Sequence, residues 1–140
     1  MLTAMTNSTI ITTADELADA WTRLWNGAFE IAEELIADDF RVIFGEATEA
    51  NAHPADAVTT AGQFADYLRK FHAEYPDVRF EMGAPTTGSV TASGISRVGL
   101  VWHMWLPDGT ARSGIDVLEA VDARIARVWS VTGRRRLPTD

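Results

Sequence analysis

Cysteine is absent from the 140-residue sequence, which removes disulfides, thiol nucleophiles and thiolate metal sites together and fits a reducing compartment. Basic charge is scarce: 12 Lys and Arg stand against 20 Asp and Glu, a formal net charge of −8. So acidic a chain lacks the basic footprint that displaces phosphate counterions, and nucleic acid is not expected as a partner. The one basic run, Arg134-Arg135-Arg136, reads as part of a solvated tail over 134–140. No apolar run reaches the length of a membrane span, and the opening MLTAMTNSTIITT has neither a cationic start nor a long apolar stretch, so no membrane contact and no signal peptide are expected. A cytoplasmic protein with a flexible arm over 1–12 follows. The histidines, His53, His72 and His103, lack any close spacing, so no metal site and no cofactor are expected.

What is present is a globular composition, 46% hydrophobic and 23% charged. A chain of this length forms one domain that buries roughly two-thirds of its unfolded surface. Five Trp and six Phe exceed what a core of this size needs, so some are expected to line a cavity.

The first half reads as helical. Thr13-Ala14-Asp15-Glu16 is a capping box, and Leu17, Ala20, Trp21, Leu24 and Trp25 follow at helical spacing until Asn26-Gly27 breaks the period. A second helix is expected from Ala28 to Ala37, ended by Asp38-Asp39, with a short strand over Phe40 to Phe44. Residues 45 to 60 read as a covering loop in which His53 is expected to be exposed, the other position for it being over the mouth of a cavity. A second capping pattern, Thr60 to Gln63, opens a helix carrying Phe64, Tyr67, Leu68, Phe71 and Tyr75 on one face until Pro76, with His72 facing solvent.

From Val78 the period is that of strands: Val78 to Met82, Ile95 to Leu106, Ala111 to Val121 and Ile125 to Thr132. Helices first and strands afterwards define an α+β fold. Three helices should cap a curved antiparallel sheet that forms a cone with an open mouth, a favoured place for small-molecule sites.

Asp116 interrupts the second of the two long strands that flank Pro107-Asp108-Gly109. A carboxylate inside an apolar sheet costs several kcal/mol unless it is paired or neutralised, so Asp116 is the first candidate for chemistry and His103, on the partner strand, the second. Their relation depends on the turn. A two-residue loop sets Asp116 opposite Gly99, on the face of Val101 and His103; a three-residue loop with Gly109 left-handed sets it opposite Leu100 and beside Trp102. Both faces are hydrophobic, and patterning leaves the two registers open. The other role for Asp116 is an ion pair with Arg97, and for His103 that of a core histidine.

The joint Ala37-Asp38-Asp39-Phe40 after two helices, and the stretch GIDVLEAVDARIARVWSVTG at 114–133, resemble the nuclear transport factor 2-like superfamily, and within it the SnoaL-like polyketide cyclase and ketosteroid isomerase group. The resemblance covers 13–133, the expected single domain. It implies the cone fold and an Asp at Asp116 acting as general acid/base with a His on the preceding strand, here His103. In ketosteroid isomerases the equivalent Ile-Asp pair, Ile115-Asp116, donates to an enolate, but the isomerase base falls at Phe44 and its oxyanion tyrosine near Ala20 or Trp21, so that mechanism is missing. The Asp-Arg-Asp set of limonene epoxide hydrolases is missing too, since two of its positions fall near Gly99 and Val101. The alignment points Arg97, Gly99, Val101 and His103 inward. The remaining walls are expected from Trp21, Trp25, Phe44, Phe64 and Leu68, and from Val128 and Ser130 on the last strand. Trp129 then faces out, where members of the group dimerise, and a homodimer is expected. The implied activity is isomerisation, aldol cyclisation or dehydration of a small hydrophobic carbonyl compound; the other reading is a non-catalytic binding module.

Overall fold

The computed structural model describes residues 10–48 and 50–139. Residues 1–9 of the expected arm and residue 140 of the tail lie outside the described residues.

Helix α1, Ala14–Trp25, opens on the capping box read from the sequence. The Thr13 hydroxyl accepts from the Glu16 amide at 3.1 Å, and the Glu16 carboxylate accepts from the Thr13 amide at 3.1 Å. Leu17, Ala18, Trp21 and Leu24 form its buried stripe, and Gly27, at φ 113°, supplies the left-handed conformation that turns the chain away.

The second helix is shorter than its apolar spacing predicts. A 3-10 turn, Phe29–Ile31, leads into α2, Ala32–Leu35, and the chain is already extended at Ile36. Strand β1 therefore spans Ile36–Phe44 and contains Asp38 and Asp39, which the sequence reading placed at the end of a helix. Arg124 accounts for the early stop. Its guanidinium donates to the carbonyl oxygens of Glu33 (2.7 Å), Glu34 (3.2 Å) and Ile36 (2.6 Å), acceptors that a further helical turn would otherwise have to satisfy.

Helix α3, Ala61–Glu74, is capped by Thr60 and buries Phe64, Ala65 and Leu68. The strands that follow are β2 (Arg79–Met82), β3 (Thr87–Ser89), β4 (Ile95–Trp105), β5 (Ala111–Val121) and β6 (Arg124–Thr132). The sheet order is β1-β6-β5-β4-β2, with β3 also on β4. From β2 to β6 every pairing is antiparallel, whereas β1 runs parallel to β6. The result is the α+β architecture expected, a curved, unclosed sheet with the helices on its inner face, but the sheet is mixed rather than wholly antiparallel because β1 runs alongside β6 in the same direction.

The turn decides the register. Leu106 and Thr110 close a three-residue loop through an amide-to-carbonyl bond of 2.9 Å, and Gly109 sits at φ 88°. Leu100 is thereby opposite Asp116, and His103 opposite Ser113. Even-numbered positions of β4, β5 and β6 face the helices: Val98, Leu100, Leu118, Ala120 and Val128 belong to the core with Leu17, Trp21, Phe64 and Leu68. The inward orientation expected for Arg97, Gly99, Val101 and His103 is thus reversed, because the left-handed Gly109 adds the residue that flips the strand.

Arg134, Arg135 and Arg136 are exposed, as expected of a solvated basic run, but the backbone that carries them is anchored to β5. The Arg135 carbonyl accepts from the Ser113 amide at 3.0 Å, and the Leu137 amide donates to the Ser113 hydroxyl at 2.8 Å. This segment lies along the start of β5 on the outer face.

Candidate functional site

Asp116 lies at the wall of an open cavity of about 280 Å³ between the sheet and the helices. Its side chain is held on both oxygens. Trp21, from α1, donates its indole N–H to Oδ2 at 2.9 Å, and Trp102, from β4, donates to Oδ1 at 2.8 Å. Ser130, opposite Asp116 on β6, adds a hydroxyl. These donors favour the carboxylate. Burial in an aromatic cavity opposes them and prevails, so the carboxyl is raised above the ordinary aspartate range, with desolvation the leading cause and the Ser130, Trp21 and Trp102 hydrogen bonds pulling the other way. A carboxyl group in that balance exchanges a proton more readily near neutrality than an exposed aspartate does.

Two local features bring the indoles to it. Trp21 belongs to the buried stripe of α1 and is stacked on Phe64, with centroids 5.4 Å apart and planes within 3°. Trp102 lies across Gly114, where a Cβ would collide with its six-membered ring. Only glycine at this position leaves room for the indole to reach the next inward residue of β5, Asp116. The sequence reading missed Trp102 as a partner; the small residue two positions before the carboxylate was the available signal.

Of the expected wall residues, Trp21, Trp25, Phe44 and Ser130 line the cavity. Phe64, Leu68 and Val128 are fully buried in the core behind it. Arg97 pairs with Glu119 at 2.8 Å on the outer face and does not meet Asp116. Gly99 and Val101 share that outer face, opposite Val117 and Ile115. His103 is there as well and is 1% exposed. Its Nδ1 is 2.6 Å from the Ser113 hydroxyl, its Nε2 3.3 Å from that of Thr139, and Gly83 lies against the ring. The His103–Asp116 pair is therefore divided by the sheet.

Neither of the other histidines is exposed. His72 is half-buried, with Nε2 2.6 Å from the carbonyl oxygen of Trp25 at the end of α1. His53 is half-buried and lines the cavity. Sequence reasoning also missed Tyr67, Glu46, Phe80 and Arg112 as cavity residues. Among the described residues, no group of three His, Asp or Glu is placed to hold a metal ion, and no helix is long and apolar enough to cross a membrane.

Comparison with solved structures agrees with this architecture. A SnoaL-like protein of unknown function from Burkholderia thailandensis superposes with a TM-score of 0.61 at 19% identity, over 86% of this chain and 93% of that one. A SnoaL-like polyketide cyclase from Agrobacterium tumefaciens gives 0.58 at 18% identity, over 89% and 94%. A candidate ketosteroid isomerase from Kribbella flavida gives 0.60 at 25% identity, over 91% and 82%. No family model and no curated protein matches the sequence. The chain has the nuclear transport factor 2-like, SnoaL-like fold that its sequence motifs resemble.

Proposed function

We propose that the protein is a cofactor-independent acid/base enzyme that binds a small hydrophobic carbonyl compound in its aromatic cavity. The observation that carries this reading is Asp116: a buried carboxyl at the cavity wall, raised by desolvation and oriented by two indole donors. In the proposed reaction the Asp116 carboxylate removes a proton from the carbon next to the substrate carbonyl and the resulting carboxylic acid returns it elsewhere. Isomerisation, aldol cyclisation and dehydration share that step. The names of the Agrobacterium and Kribbella structures support the class of chemistry. His103 has no part in this reading, being on the far side of the sheet.

A second reading is a binding module without turnover, favoured by the fact that both Asp116 oxygens already accept hydrogen bonds. Exchange of the α-protons of 2-tetralone with D2O, followed by NMR, separates the two. The enzyme reading expects exchange above the buffer rate and its loss by 10²-fold or more in Asp116→Asn. Binding of 2-tetralone without accelerated exchange would establish the module instead.

We further propose a homodimer through the outer face of the sheet, in keeping with a cytoplasmic protein. Ile43, Ile115, Trp129 and Val131 are 39–55% exposed. They are also contiguous, since Ile43 is opposite Trp129 across β1 and β6, and Ile115 opposite Val131 across β5 and β6. A second copy related by a two-fold axis would cover this patch with itself.

A further inference from the structure

The cavity has polar groups at a second place, and they are not used by the acid/base reading. Phe44 is two strands away from Asp116, through Ser130, a separation of about 10 Å at the usual strand spacing. On Phe44 rest two further cavity residues, His53 with its ring centroid at 5.0 Å and Tyr67 at 6.0 Å. Both are fixed. His53 caps the 3-10 turn Pro54–Ala57, and its Nδ1 accepts the Ala55 amide at 3.0 Å. In the neutral ring the proton is therefore on Nε2, which makes that atom a donor. Tyr67 is held between Phe44 and Phe64 by stacking, with planes 24° and 9° from parallel. Neither Nε2 of His53 nor the Tyr67 hydroxyl has a hydrogen-bond partner among the described residues.

We infer that His53 and Tyr67 form a second recognition pole that binds a neutral oxygen, a carbonyl or hydroxyl, at the end of the ligand remote from Asp116. Donors on a half-buried aromatic surface select acceptor atoms. Glu46 also lines the cavity, and its charge, which acts on Tyr67, selects against a carboxylate there. Burial, with the charges of Glu46 and Glu74, also raises the Tyr67 phenol, so that it remains a neutral donor. The substrate class is thus narrowed from a hydrophobic carbonyl compound to a flat skeleton of about two rings with oxygen at both ends. The inference rests on the cavity being a ligand site, which the enzyme and module readings share.

Isothermal titration calorimetry on the full chain tests it with 2-naphthol, 2,6-dihydroxynaphthalene and 6-hydroxy-2-naphthoate. The second hydroxyl should tighten binding to the unmodified protein by about fivefold, a typical yield of one to two neutral hydrogen bonds. The carboxylate in its place should not tighten binding. Tyr67→Phe, which keeps the stacked ring, and His53→Asn, which keeps a capping acceptor, should each reduce the dihydroxy advantage, read as the ratio of the two affinities in the same variant. Tyr67→Phe alone suffices should the loop variant fail to fold. Equal affinity for the mono- and dihydroxy compounds, no binding of either, an advantage that survives Tyr67→Phe, or preference for the carboxylate would each overturn the inference. The titration reads naphthol affinities and not exchange at 2-tetralone, so failure of α-proton exchange counts against the acid/base reading alone.

Discussion

Trp102 reaches Asp116 across the bare backbone of Gly114, its indole N–H 2.8 Å from Oδ1. The glycine is there for space, since a Cβ would collide with the indole. Gly114→Ala should therefore displace Trp102, break this hydrogen bond and destabilise the fold. Trp102→Phe removes the donor but also vacates the space over Gly114, and should cost about 1–3 kcal/mol for the acceptor left short of a partner. In the double variant the two losses should fall short of their sum, because the smaller ring tolerates the new methyl. Urea unfolding of the four proteins measures this coupling, and strict additivity would show that Gly114 acts otherwise.

The raised carboxyl of Asp116 gives stability a pH dependence of definite sign. Between the ordinary aspartate value and its higher folded value, the folded protein binds more protons than the unfolded chain. Stability contributed by this group is thus full at low pH and declines as pH rises through that window. Asp116→Asn cannot ionise and lacks the decline. The melting temperature of Asp116→Asn relative to the unmodified protein should rise from pH 4 towards neutrality; a constant difference would mean that burial does not control the carboxyl.

His103 should prove a stability residue. Its Nδ1 lies 2.6 Å from the Ser113 hydroxyl, on the face away from the cavity. His103→Leu is expected to lower stability by about 1–3 kcal/mol. Exchange at 2-tetralone should stay within about twofold, as for a substitution remote from the site. Thermal melts and the exchange assay on the same preparation decide the matter, and a collapse of exchange at unchanged stability would restore His103 to the chemistry.

The outer apolar patch makes a prediction about assembly. Trp129→Glu places a charge at the centre of Ile43, Ile115 and Val131, all exposed in the single chain. Sedimentation equilibrium should show a dimer for the unmodified protein and a monomer for the variant, with the cavity unaffected because Trp129 faces away from it. A monomer in both would remove the proposed interface.

Most of the architecture is legible in the sequence because its signals are local. The Thr13 and Glu16 box marks the start of α1, and the long runs of β4 and β5 keep strand period on both sides of an evident turn. The second helix was misjudged because the group that ends it, Arg124, is about 90 residues away in the chain. The site was half legible. Asp116 stands out as a carboxylate between apolar neighbours, but its partners depend on register, and with apolar residues on both faces only the turn distinguishes the two. Pro107-Asp108-Gly109 accommodates either loop; the left-handed Gly109 selects the one that brings Asp116 to the cavity and carries His103 out of it. Trp21 and Trp102 were visible as hydrophobic bulk, whereas their use as hydrogen-bond donors to one carboxyl is a property of the folded cavity.

The parallel pairing of β1 with β6 sets the order of assembly. Among the described residues, 36–44 have no strand neighbour other than 124–132, so during synthesis the first strand waits until the last has left the ribosome. The helices meanwhile lack the completed sheet they cover, and Trp21 lacks Asp116, 95 positions later in the chain. Contacts of such long sequence separation make folding slow. A truncated nascent chain lacks the sheet that covers the tryptophans of α1.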